Sequence, residues 1–178
     1  MNKKKEIINL TKELFVKKLY VDISMQEILD HNNITLSEFN EHFDNKRDLY
    51  FDIVECTRNK FDKKFIELAK KNNKDIKNTF VDMYKSLDKN DCDLIRNIFN
   101  NLITNNVSTF YANYNVDIKL LEILDVSEYP IENRLELIET INSLMIQHVI
   151  HKKLYGEKCL INFEKSLEFL LKNNKMVP

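Results

Sequence analysis

Two histidines three residues apart, His148 and His151, are the nearest approach to a metal-ligand pair in the chain. On a helix that spacing puts both rings on one side, where a carboxylate could join them around a zinc ion. Two ligands are too few for a closed site and no HExxH pattern accompanies them, so no metal or other cofactor is expected. A phosphate-cradling loop needs several glycines, and the chain has one. Cys56, Cys92 and Cys159 are widely spaced with no CxxC, which reads as reduced thiols in a cytoplasm. Asp and Glu pairs at helical spacing occur throughout, as on any solvated helix face, and none stands out as an acid/base pair. The chain is not expected to be an enzyme.

The polar residues whose spacing does point to a task run from Ser24 to Lys46. Ser24 with Glu27 fits a capping box, in which hydroxyl and carboxylate satisfy each other's backbone donors. Ile28 and Leu29 give that helix an apolar side, and Asn32 and Asn33 supply a tight turn. Thr35 with Glu38 repeats the capping signature and starts a second helix. Phe39 and Phe43, at i and i+4, point into a core. The opposite side shows Leu36, Ser37, Asn40 and Glu41. Helix, short turn and second helix with a polar outer face is the layout of a helix-turn-helix.

The runs LFxxxLYxxISMxxI and NITxSEFxxHFxNKxxL resemble the N-terminal domain of the TetR family of transcriptional regulators. The matching residues are Leu14, Phe15, Tyr20, Ser24, Met25, Ile28, Ile34, Thr35, His42, Phe43, Asn45, Lys46 and Leu49. The HF-x-NK ending is the most specific part. The resemblance implies a homodimer that places two helix-turn-helix heads in adjacent major grooves of double-stranded DNA. It also implies a small-molecule effector bound in the C-terminal half, most simply in a repressor. Residues facing base edges, sugars or phosphates would be Ser24, Thr35, Leu36, Ser37, Asn40, Glu41 and His42, with Lys46 and the Lys3–Lys5 arm, Lys5 included, on phosphates. The chain departs from the family at Leu19, Asn33 and Ser37, where glycine is usual, and at Asn40, where tyrosine is usual.

Charge favours a rival reading. No Lys or Arg lies between Ser24 and Phe43, whereas Glu27, Asp30, Glu38 and Glu41 do. Phosphate binding rests largely on cations and counterion release. The alternative is therefore a TetR-like protein that has lost DNA binding and acts as a protein-interaction module.

Composition bounds the fold. With 178 residues, 43% hydrophobic, the chain can build a core, and its net charge of −1 requires any DNA contact to be local. One glycine and two prolines fit helices joined by short Asn, Asp and Lys connections. No apolar run approaches the ~20 residues of a membrane span. The expected architecture is all-α: a three-helix head over 1–48, then a helical bundle over 49–178. A long linking helix covers about 46–71, with Leu49, Ile53, Val54, Thr57, Phe61, Phe65 and Leu68 inward.

Helical spacing continues through 75–88, 91–104, a short segment around Val107–Tyr114, a segment around Ile118–Leu124, then 131–155 and 160–173. The helix from 131 to 155 has apolar residues over too broad an arc for one neighbour, including the stripe Ile131, Leu135, Ile138, Met145 and Val149. The last two helices are therefore expected to pair two copies as a four-helix bundle. Gly156 is expected to end the first of them in the left-handed conformation. Phe80, Met83, Tyr84, Phe99, Phe110, Tyr111, Tyr114, Met145 and His148 are the candidate lining of a pocket for an apolar or aromatic effector.

Overall fold

The early helices begin at side chains that tie down their first backbone donors. The Asn2 side chain accepts from Lys4 N–H at 3.0 Å and opens α1, Lys3–Lys17. Ser24 opens α2, Met25–Asn32, and Thr35 opens α3, Leu36–Asn40. Asn45 accepts from Asp48 N–H at 3.1 Å and opens α4, Lys46–Lys71. Asp75 accepts from Asn78 N–H at 2.7 Å and opens α5, Ile76–Ser86. Then follow α6, Lys89–Thr104; α7, Val116–Ile123; α8, Arg134–Tyr155; and α9, Lys158–Asn173. This computed structural model describes residues 2–104 and 116–175, and among them every regular element is helical. The expected segment around Val107–Tyr114 lies outside the described residues.

The chain forms two compact units. One draws its described residues from Met1–Phe61 and Asp93–Val107, the other from Asp62–Cys92 and Ser108–Pro178. Helices α4 and α6 contribute residues to both.

In the first unit α1 buries Ile7, Thr11, Leu14 and Phe15. A buried polar link ties α1 to α2: the Asn32 amide nitrogen donates to the Thr11 hydroxyl at 2.9 Å and to the Ile28 carbonyl at 2.8 Å. The α2 helix ends at Asn33, at φ 50° and ψ 51°, the left-handed conformation that Asn tolerates. Tyr50, on α4, packs among the rings of Phe15 and Tyr20 at 5.3 and 4.9 Å. From α6, the Asn97 amide donates to the carbonyls of Phe15 at 2.8 Å and Val16 at 3.2 Å. These carbonyls, at the end of α1, lack helical partners.

In the second unit α9 packs against α8 and α5, and α7 packs against α8. Phe80 meets Phe65 edge-on at 4.8 Å, and Tyr84 stacks on Phe163 at 5.3 Å. The Lys152 ammonium lies 4.9 Å over the Tyr84 ring and donates to the Leu87 carbonyl at 3.0 Å. The turn after α4 is built on Asn73 and Lys74, both at positive φ. It is closed by Lys74 N–H on the Ala69 carbonyl at 2.7 Å, and the Lys74 carbonyl accepts from Asp125 N–H at 2.9 Å.

Three expectations need correction. The helix begins at Arg134, because Ile131–Asn133 after Pro130 form a 3-10 turn and the Arg134 guanidinium holds the Tyr129 carbonyl at 2.9 Å. Of the expected stripe, Ile138, Met145 and Val149 are buried, but Ile131 and Leu135 are exposed. Gly156 has positive φ, yet its ψ of −134° is the mirror image of extended backbone rather than the left-handed helix.

Candidate nucleic-acid interface

The exposed face of α3 depends on how its cap is made. Thr35 and Glu38 form a reciprocal box: Glu38 N–H donates to the Thr35 hydroxyl at 3.2 Å, and Thr35 N–H donates to the Glu38 carboxylate at 2.7 Å. The Thr35 hydroxyl also donates to that carboxylate, at 2.9 Å. Donation first from the Thr35 backbone and then from its hydroxyl holds the Glu38 carboxyl below its ordinary range, with a smaller contribution from the charge of Lys3.

The box expected at Ser24 is only half formed. The Ser24 hydroxyl accepts from Glu27 N–H at 3.1 Å, but the Glu27 carboxylate turns to the Lys18 ammonium at 2.7 Å. A nearby cation outcompetes one backbone donor for that carboxylate.

Phe39 and Phe43 point inward, with ring centroids 5.3 Å apart, and fix the roll of α3. That roll leaves Thr35, Leu36, Ser37, Asn40 and Glu41 exposed, with Leu36 retaining 53% of its surface. His42 is half-buried, its ring edge-on to Phe43. Thr35 and Glu38 are occupied by the cap, so the side chains left for a partner on α3 and its C-cap are Leu36, Ser37, Asn40 and Glu41.

The cations around this face are unequal. Lys46 donates to the carbonyls of Tyr20 at 2.9 Å and Ile23 at 2.6 Å, and its ammonium sits 4.0 Å over the Tyr20 ring. Burial lowers its pKa. The lysine expected on a phosphate is therefore first an anchor for the segment that leads into α2. Lys4 is engaged with Asp52 at 2.7 Å and lies over the Phe43 ring. Lys5 and Arg47 are exposed, as is Lys3, which faces Glu6 at 3.7 Å. Sequence reasoning missed the Asn97 tether and the anchoring role of Lys46. The side chains of the N-K pair offered a signal for the second, one capping and one clamping.

The expected effector residues fare differently. Phe80, Met83, Tyr84 and Met145 are buried. Phe99 is half-buried and belongs to the first unit, whereas those four belong to the second. Phe110, Tyr111 and Tyr114 lie outside the described residues. His148 lines a cavity of about 260 Å³ with Gln147, His151, Cys159 and Asn162, a polar rather than aromatic lining. Its Nδ1 is 2.9 Å from the Leu144 carbonyl, and that of His151 is 2.8 Å from the Gln147 carbonyl. A larger cleft of about 680 Å³ has Ile76, Tyr129 and Leu171 in its lining beside Asp125, Glu168 and Lys172. Among the described residues no three His, Cys, Asp or Glu side chains gather as metal ligands, and no helix is long and apolar enough to cross a membrane.

No protein-family model and no curated protein matches the sequence. Among solved structures, the chain is similar to the crystal structure of a transcriptional regulator (TerR/AcrR family) from Aquifex aeolicus VF5, with a TM-score of 0.65 and 23% identity. The match covers 97% of this chain and 99% of that one, and the fold of this protein is that of the regulator.

Proposed function

We propose that the protein is a cytoplasmic, DNA-binding transcriptional regulator of the TetR type, a repressor released by a small effector in its C-terminal helices. The observation that carries the reading is α3: a capped helix, rolled by two buried phenylalanines, with its remaining polar and apolar side chains turned outward. The fold shared with the Aquifex regulator supports it. Residues 1–48 act as the head and 49–178 as the body. Two copies pair through 131–155 and 160–173. Exposed Ile161 and Phe169 on α9 and Leu135 on α8 support that pairing, since monomers gain nothing by wetting such side chains. Effector binding shifts the population of dimers whose heads fit adjacent major grooves. The test is binding to the DNA upstream of the protein's own gene, followed by fluorescence anisotropy across a salt series. Affinity should fall steeply with salt. Absent or salt-insensitive binding overturns the reading.

A second reading, a protein-interaction module, is favoured by one observation: the exposed Asp30 and Glu41 carry negative charge near a face with no cation of its own. Glu41→Gln separates the two. A DNA reader gains nonspecific DNA affinity, whereas a face that recognises a basic protein loses affinity for it.

A further inference from the structure

The bases this face can read follow from which side chains the cap leaves available. Each base pair shows a distinct pattern in the major groove. Guanine is read through its O6 and N7 acceptors, which call for the paired donors of Arg or for Lys. Adenine is read through N6 and N7 by the donor and acceptor of one Asn or Gln amide. Thymine is read through its methyl group by an apolar side chain. On α3, Leu36 is a large apolar side chain left more than half in water, and Asn40 is an exposed amide. The helix and its caps hold no Arg or Lys from Thr35 to Glu41. Lys46, the nearest cation along the chain, has its ammonium on two carbonyls and a tyrosine ring. Glu41, at the C-cap, accepts and cannot donate, so it repels guanine O6.

Resting on the regulator reading, we infer that this protein recognises DNA through thymine methyls at Leu36 and adenine edges at Asn40, with no guanine contact from either side chain. The class of operator is then one whose half-site is A·T at the positions that Leu36 and Asn40 meet. Specificity there comes from methyl burial and one amide, so it is modest per base, and a second copy of the head is needed to reach useful discrimination.

The experiment selects duplexes from a randomised library with the intact chain, then compares the selected site with copies carrying deoxyuridine for thymidine. Uracil keeps every hydrogen bond and removes only the methyl. Wild-type affinity should drop about four-fold per contacted methyl, from ~0.8 kcal/mol of lost burial. Leu36→Ala, at an exposed position, should bind more weakly and lose that sensitivity, while Asn40→Ala should lose its preference for adenine. Guanine enriched at the positions that respond to Leu36 and Asn40 overturns the inference and leaves the regulator reading standing. Equal affinity for thymidine and deoxyuridine sites also overturns it. No duplex bound at any sequence overturns the regulator reading itself.

Discussion

Lys46 is attached to Tyr20 twice: its ammonium donates to the Tyr20 carbonyl at 2.9 Å and lies 4.0 Å above the same residue's ring. A third contact, to the Ile23 carbonyl at 2.6 Å, completes a clamp on the segment between α1 and α2. Lys46→Met keeps the stem and removes all three. Two carbonyls lose a charged donor, so the variant should be less stable by about 2 kcal/mol. Urea unfolding followed by circular dichroism measures this. A loss under a few tenths of a kcal/mol would show that the clamp is ornamental and leave Lys46 open to phosphate.

Glu38 provides a pH marker for the head. Its folded pKa is depressed, so its contribution to α3 is complete above the ordinary carboxyl value near 4.5 and disappears as pH falls through the lower folded value. A carboxyl-detected NMR titration should find Glu38 below its ordinary range in the native chain. In Thr35→Val the donated hydroxyl is gone and the titration should move upward. An unchanged titration there would mean the hydroxyl plays no part.

Gly156 and Asn33 both have positive φ but should answer substitution in opposite ways. At Gly156, φ 55° with ψ −134° is a conformation for glycine alone, although an added Cβ would meet nothing within 4 Å. Gly156→Ala should therefore cost about 1–3 kcal/mol from the backbone itself, and Asn should fare no better. Asn33→Gly, in the left-handed helical region, should change stability by less than about 1 kcal/mol. Thermal unfolding of the three variants decides the matter.

Phe169 is 68% exposed and Ile161 is 51% exposed on α9. If α9 joins two copies, Phe169→Glu buries a charge in the seam. Sedimentation equilibrium should then show self-association weakened by well over ten-fold relative to wild type. A wild-type chain that is already monomeric at micromolar concentration would remove the pairing from the proposal.

The helices were legible because their signals are local. Capping pairs at Thr35–Glu38 and Asn45–Asp48 and the spacing of Leu49, Ile53 and Val54 each need only a few neighbouring residues. What could not be read depends on partners distant in the chain. Glu27 has an ordinary capping position and yet turns to Lys18. Ile131 and Leu135 carry the same letters as their buried neighbours, and Arg134 with Pro130 decides where the helix begins. Aromatic residues such as Phe80 and Tyr84 satisfy a pocket pattern and a packed core equally well, and the rings they meet, Phe65 and Phe163, cannot be named from the residues beside them in the chain.

The Asn97 amide closes the end of α1 across a separation of 82 residues. During synthesis the ribosome delivers the first three helices long before that amide exists. Until then the carbonyls of Phe15 and Val16 must borrow water, and the early segment waits for its last tie. A fragment cut after Phe61 would stay in that unfinished condition permanently, so the head is better regarded as a product of the longer chain than as a detachable module.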